Sequence, residues 1–309
     1  MQQFDTPILF LIFNRPDTTQ VVFNEIKKIQ PKYLYVAADG HRSHKEGEKE
    51  KCDQTRDIVK QVDWDCEIKT LFRDKNLGCK LAVSGAITWF FENVTEGIIL
   101  EDDCVPNQSF FTFCKVLLEY YRNDTRVMQI GGVNFQDGIS RSDGTYFFSR
   151  KNHIWGWASW RRAWQNYDVN LKTFPKFREQ NQIANIFRNK RMQENTMSKL
   201  QQVYDNKIDT WDFQWEYTVL SQNGLVILPN VNMVSNIGFR EDATHTKGFD
   251  KNAANKKTFE ISKIIHPSFV ICNEDADEYI FNKEYPDEPF IKKLEIKVKR
   301  KIKKILGRI

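Results

Sequence analysis

The chain has 309 residues, 40% of them hydrophobic and 28% charged, the balance of a soluble globular protein and not of a disordered one. Its 46 Lys and Arg against 41 Asp and Glu give a net charge of +5, yet residues 292–309 hold nine of those bases and a single acid. The rest therefore carries 37 bases against 40 acids, and a mildly acidic body argues against a nucleic-acid-binding face, which needs basic residues spread over it.

In chain order, the apolar run Pro7–Phe13 predicts a buried strand that ends in Asn14-Arg15-Pro16-Asp17. Its apolar core is too short for a signal sequence or a membrane span. A helix over Thr18–Ile29 follows, then a strand over Tyr33–Ala38 running into Asp39-Gly40, and a helix over Lys51–Val62. The strand Cys66–Phe72 leads to Arg73-Asp74-Lys75-Asn76-Leu77-Gly78, and a helical pattern spans Ala82–Asn93. The strand Gly97–Leu100 delivers Glu101-Asp102-Asp103, ahead of a helix region over Ser109–Tyr121.

Near-continuously apolar strands alternating with helices predict a mostly parallel sheet covered on both faces, an α/β Rossmann-like fold. Such sheets bind ligands at the carboxyl ends of their strands, so the polar residues at those ends should converge. After residue 128 the pattern loosens: Tyr146–Ser149 and Leu225–Leu228 read as strands, Trp155–Trp164 is dense in Trp, and 171–205 is polar and helical. From about 250 the sequence reads as peripheral. The division expected is a donor-binding half over 1–130, an acceptor and catalytic half over 131–250, and a peripheral extension over 251–309. The six cysteines show no CxxC and no paired framework, which with no signal sequence points to a reducing compartment.

Glu101-Asp102-Asp103 is the strongest local signal for chemistry. Three carboxylates at a sheet's ligand edge offer hard oxygen ligands to Mg²⁺ or Mn²⁺, and such an ion could bridge a diphosphate and offset its charge as a leaving group. The competing reading, Asp103 as a helix cap, explains one acid and not three. Asn76, Gly78 and Lys80 stand between a strand and a helix, where backbone amides attract phosphate, or where plain turn chemistry suffices. Arg15 reads as a donor-facing cation or a surface charge. The Trp cluster, with Trp155 and Trp157, suits an acceptor site or the core.

The run Gly97-Ile98-Ile99-Leu100-Glu101-Asp102-Asp103, with Pro106 and Phe110-Phe111-Thr112-Phe113, resembles the metal-site segment of N-acetylglucosaminyltransferase I. The chain also resembles a group of bacterial nucleotide-diphospho-sugar transferases (hemolytic-protein-like) associated with surface polysaccharide assembly. The matching segments are Leu11–Pro16, Ala38-Asp39-Gly40, Asn76-Leu77-Gly78, Ile154–Ala158, Thr210-Trp211-Asp212, Asn236–Phe239 and Asp242–Thr246. The resemblance implies a GT-A fold, a nucleotide-sugar donor, most simply UDP-linked, and an inverting displacement onto a glycan or lipid-linked glycan acceptor. It implies a divalent metal (Mn²⁺ or Mg²⁺) on Asp103, Asp102 near the ribose or sugar, Glu101 beside them, and Asp39 on the base. Trp211 would stack on the acceptor and Asp212 would be the catalytic base, with Asp209 and Glu216 as substitutes; locally Asp209 or Thr210 could instead cap a helix. His245 could be a late-sequence metal ligand or a solvated loop histidine.

Two other classes compete. A sugar-1-phosphate nucleotidyltransferase wants a glycine-rich loop after the first strand, and Asn14-Arg15-Pro16-Asp17 has no glycine. A degenerate carbohydrate-binding scaffold would not need both the acid triplet and Trp211-Asp212. Residues 294–309, wound as a helix, gather Leu294, Val298, Ile302, Ile305, Leu306 and Ile309 on one side with bases on the rest. That is a basic amphipathic tail suited to an anionic membrane surface. A cytoplasmic enzyme held at the inner face of the cell membrane is the expectation.

Overall fold

The computed structural model describes residues 3–239 and 254–286. His245 and the amphipathic tail at 294–309 lie outside the described residues. Sequence alternation becomes two faces of one sheet. In β1 (Ile8–Ile12), Ile8, Phe10 and Ile12 point into one hydrophobic cluster while Leu9 and Leu11 point into another. The strands β2 (Tyr33–Ala38) and β4 (Glu96–Glu101) split in the same way, as side chains of period two must.

Between β1 and β2 runs α1 (Pro16–Ile29), and α2 (Glu48–Asp57) with a 3₁₀ turn at Ile58–Gln61 precedes β3 (Glu67–Phe72). The helix expected over Lys51–Val62 thus starts and ends earlier. α3 (Gly78–Asn93) leads into β4, and after it come the short β5 (Cys104–Pro106), α4 (Gln108–Tyr120) and β6 (Val127–Gly131). β7 (Tyr146–Ser149), β8 (Trp157–Trp160) and α5 (Arg161–Trp164) follow. The polar stretch 171–205 is helical in pieces: α6 (Phe174–Glu179), a 3₁₀ turn at Gln182–Asn185 that follows Asn181 in the left-handed region (φ 50°), and α7 (Lys190–Tyr204), capped by Asn189. The remainder is α8 (Asp212–Ser221), β9 (Leu225–Pro229), β10 (Val234–Asn236) and α9 (Glu274–Glu284).

The eight-stranded sheet has the order β3-β2-β1-β4-β8-β6-β9-β7. Its β3-β2-β1-β4 half is wholly parallel, β6 and β9 are parallel, and β8 enters antiparallel between β4 and β6. This is the mostly parallel, helix-flanked α/β sheet the sequence predicts. α1 and α4 cover one face and α3, α5 and α8 the other. β5 and β10 form a separate antiparallel pair that lays Asn236 beside Cys104.

Among the described helices none is long and apolar enough to cross a membrane. All six cysteines are free. In the described stretch 254–286, Cys272 bridges Phe148 of β7, and α9 packs through Phe281 into a hydrophobic cluster with Phe174, Leu200 and Tyr217.

Gly97 in β4 has no room for a side chain. A Cβ there would stand 2.3 Å from Phe90 Cζ and 2.8 Å from the Pro7 carbonyl oxygen. Gly97→Ala should therefore lower unfolding free energy by about 1–3 kcal/mol, the usual cost of overpacking, read from the midpoint of urea denaturation. An unchanged midpoint would show that Phe90 can give way at no cost.

Candidate active site

The parallel strands end on one edge, and their polar residues meet there around a cavity of about 850 Å³. Pro16 sits at the start of α1, where its fixed φ and missing N–H suit a helix beginning. Arg15, just before it, reaches across the edge: its guanidinium bonds Asp102 and lies 2.9 Å from Asp103 Oδ2. Burial opposes the charge on Arg15, but the two carboxylates outweigh it and hold the guanidinium above its usual pKa. The cation is therefore inward and paired, not a surface charge.

The acids divide the work. Asp103 is not a helix cap, because Asn107 caps α4 and accepts from the Phe110 N–H at 3.1 Å. Burial, then repulsion from Asp103 and Asp102, raises Glu101 well above the ordinary carboxylate range. Burial lifts Asp102 to about 6 despite the opposing pull of Arg15, and its Oδ2 is buried without a hydrogen-bond partner. Ligand atoms of Glu101, Asp103 and Cys104 lie within 4.8 Å of one another. Asn236 and Gly238 close over Asp103: Asn236 Nδ2 is 3.5 Å from Asp103 Oδ1, and a Cβ on Gly238 would lie 2.0 Å from Oδ2.

Two hard carboxylate ligands suit Mg²⁺ or Mn²⁺, so Glu101 and Asp103 fit a divalent cation, with Arg15 as a competing positive charge on Asp103. The Cys104 thiol is fully buried and its pKa is pushed well up by that burial, so it adds a neutral sulfur and not a thiolate. Sequence reasoning misses Cys104 as a neighbour of this cluster; only its adjacency to Asp103 in the chain could suggest it.

Asp39 lines the cavity, but its carboxylate is also a structural clasp. It accepts the N–H groups of Gly40, Leu77 and Gly78 at 3.0–3.1 Å. Asn76 donates to the Gly40 carbonyl at 2.7 Å. These bonds fix the start of α3 to the end of β2, and Asn76 and Gly78 also line the cavity. Lys80 does not line the cavity; it points away and bonds Asn206 Oδ1 at 3.2 Å.

The opposite chemistry comes from α8. Its N-cap is Trp211, with no side-chain cap bond, so neither Asp209 nor Thr210 caps it. Asp212 faces the cavity, and its Oδ1 accepts from the Thr210 hydroxyl and from the Phe213 N–H at 2.9 Å. Burial raises its pKa, held back by those two donors, with Glu216 adding a smaller push upward. Glu216 also lines the cavity, tied to Lys151 in a buried ion pair. Asp209 is exposed and does not line it.

Trp155 stands in an aromatic wall with Phe135 and Phe239, ring centroids 5.8 and 5.5 Å away. Trp157 corrects the expectation of an acceptor contact. It is fully buried and absent from the cavity wall, stacked at 5.9 Å on Trp211 because the alternation of β8 turns it into the core. Trp211 reaches the wall but is 2% exposed, so its ring mainly packs.

His153 and Lys151 are additions that the sequence does not signal. The His153 imidazole lines the cavity with its Nε2 buried and unpartnered, and burial, with Lys151 nearby, pushes its pKa down to about 3. Both lie in an irregular loop between β7 and β8, which carries no periodic pattern.

No family model and no curated protein matches the chain. Among solved structures, HddC from Yersinia pseudotuberculosis overlaps 56% of this chain and 86% of its own at 9% identity, with a TM-score of 0.33. Mouse xyloside xylosyltransferase 1 overlaps 70% and 81% at 10% identity and 0.34. The 4-diphosphocytidyl-2C-methyl-D-erythritol synthase of Anaerococcus prevotii overlaps 52% and 76% at 8% and 0.34. The overlaps are partial, and the chemistry of this cavity is set by its own residues.

The raised pKa of Asp102 gives a stability signature. An acid whose folded pKa of about 6 exceeds its unfolded value near 4 favours the fold at low pH and costs stability as pH rises through that window. Replacing Asp102 by Asn removes this cost. The stability difference between Asp102→Asn and the unsubstituted protein, measured without added metal, should move in the variant's favour as the pH rises from 4 to 7. Equal differences at both pH values would contradict it.

Proposed function

We propose that the protein is an inverting glycosyltransferase that moves a sugar from a nucleoside-diphosphate sugar, UDP-linked in the first instance, to a hydroxyl of a glycan acceptor. The observation that carries this is the sharing of one cavity by Asp212 and the Glu101–Asp103 cluster. Its volume of about 850 Å³ falls in the range of small-molecule sites. A displacement with inversion needs an electrophile held by its leaving group and a base facing it, and the acid cluster and Asp212 line this one cavity together.

On the donor side, in the 1–130 half, Arg15, Glu101 and Asp102 would orient the nucleotide-sugar, and Glu101 and Asp103 would hold Mn²⁺ or Mg²⁺. Such an ion, when bound, neutralises charge on the departing diphosphate. The bare Cα of Gly238 leaves room for that carboxylate, which a Cβ there would meet at 2.0 Å. On the acceptor side, in the 131–250 half, Asp212 would take the hydroxyl proton as the oxygen attacks the anomeric carbon. Its raised pKa, caused first by burial, makes it a stronger base than a solvated aspartate. Trp155, Phe135 and Phe239 give an apolar wall for a sugar face.

Surface polysaccharide assembly is the setting this reading favours, with the basic tail at 294–309 holding the enzyme to an anionic membrane surface. A nucleotidyltransferase is less well served, because the residues after β1, Asn14-Arg15-Pro16-Asp17, include no glycine.

Asp212→Asn should cut sugar transfer by about 10²- to 10⁴-fold while leaving UDP binding intact. Binding is read as thermal stabilisation in the presence of Mn²⁺, about 2.7 kcal/mol when UDP is at 100 times its Kd. Asp103→Ala should lose the Mn²⁺-dependent part of that stabilisation. Full turnover in Asp212→Asn would remove the base assignment, and no stabilisation by any nucleoside diphosphate would remove the donor site.

A further inference from the structure

Past Asp212 the cavity continues along α8, lined by Phe213 and Glu216, by Lys199 of α7, and by residues at the end of α9 as far as Tyr285. Among the described residues, the charges on this stretch are spent, with one exception. Lys151 pairs with Glu216, and Lys283 pairs with Asp137 at 2.5 Å. Glu284 is engaged in an interaction of its own. Lys199 is the exception: its ammonium lies 5.1 Å from the Phe213 ring centroid and 4.7 Å from that of Tyr285, and it donates to the Tyr285 hydroxyl. All of these partners are neutral, and among the described residues no carboxylate pairs with it.

Aromatic faces stabilise an ammonium without cancelling its charge. A half-buried cation held in this way keeps its full charge toward whatever enters the cavity, and the partly dry surroundings strengthen the attraction. Its place beyond the proposed base is where the body of an acceptor must lie if its hydroxyl is at Asp212. We propose that Lys199, with the Tyr285 hydroxyl and the Phe213 ring, forms a subsite that reads an anionic substituent, a carboxylate or a phosphate ester, on the acceptor sugar. This rests on the reading of Asp212 as the acceptor-side base. The acceptor class is then an acidic glycan: a uronic acid or a phosphorylated sugar near the site of transfer. Phe213 supplies the apolar surface for the ring and Lys199 the charge.

The test compares three glycosides of one skeleton, methyl β-D-glucuronide, methyl β-D-glucoside 6-phosphate and methyl β-D-glucoside. Each is titrated by saturation-transfer NMR with UDP and Mn²⁺ present in excess. At least one anionic glycoside should bind roughly tenfold more tightly than the neutral one, as expected for one charge-assisted contact, and which of the two does so separates carboxylate from phosphate. Lys199→Met and Lys199→Gln should abolish that preference, Lys199→Arg should keep most of it, and Tyr285→Phe should weaken it. Equal affinity for all three glycosides, failure of both anionic ones to bind, or a preference that survives loss of the Lys199 charge would each overturn the proposal. UDP binding is measured separately on the same samples. Its failure would count against the donor site, while the glycoside comparison still decides the subsite.

Discussion

Three adjacent carboxylates at the end of a buried strand are electrostatically costly, and the site is organised around containing that cost. Removing charges from water is expensive unless they are paired or neutralised. Here the containment has two parts. Arg15 meets Asp102 and Asp103 from the end of the neighbouring strand, and Glu101 is pushed by burial and by its neighbours toward its protonated form. Both depend on the parallel pairing of β1 with β4, which sets Leu11 opposite Glu101 and so brings Arg15 within reach. The same residual repulsion makes the cluster receptive to a divalent cation, which would relieve what Arg15 only partly offsets.

The second wall of the cavity is built by different means. α8 begins at Asp212 without a side-chain cap at Trp211, and Trp211 is anchored instead by packing against Trp157 and by a bond from the Tyr167 hydroxyl to its carbonyl at 3.1 Å. The dense Trp segment therefore acts on the site indirectly, as the bed on which the start of α8 rests. Lys151 pairs with Glu216 one helical turn further on, and Glu216 adds only a smaller upward push to Asp212 beside that of burial. Charge control on this side comes from Lys151 in the loop before β8, and positioning from Trp157 and Tyr167 packed on Trp211.

This division explains what can be read from the sequence. β1, β2, β3 and β4 are legible because continuous apolar runs ending in polar residues are a local pattern, and the convergence of Arg15, Asp39 and the acid triplet follows from parallel topology alone. The resemblance around Thr210-Trp211-Asp212 points to α8, and that segment does reach the cavity. Trp157 escapes such a reading because one residue of register in β8 decides between cavity and core, and the antiparallel insertion of β8 has no local signature. Asp39 carries a clasp to the Leu77 and Gly78 amides that involves contacts some 38 residues away. Lys151, His153 and Lys199 come from a loop and a polar helix, and only the return of α9 makes the last of them part of a cavity.

If the proposed function holds, nucleotide and metal sit against the β4 edge with Asp212 across from them. Anomalous diffraction at the manganese edge, from crystals grown with UDP and Mn²⁺, tests this most directly. A manganese peak is expected at ligand distance, roughly 2 Å, from carboxylate oxygens of Asp103 and Glu101, with the UDP diphosphate against it and Asp212 open to the remaining cavity. Manganese bound elsewhere, or a nucleotide lying along Lys199 and Tyr285 instead, would contradict it.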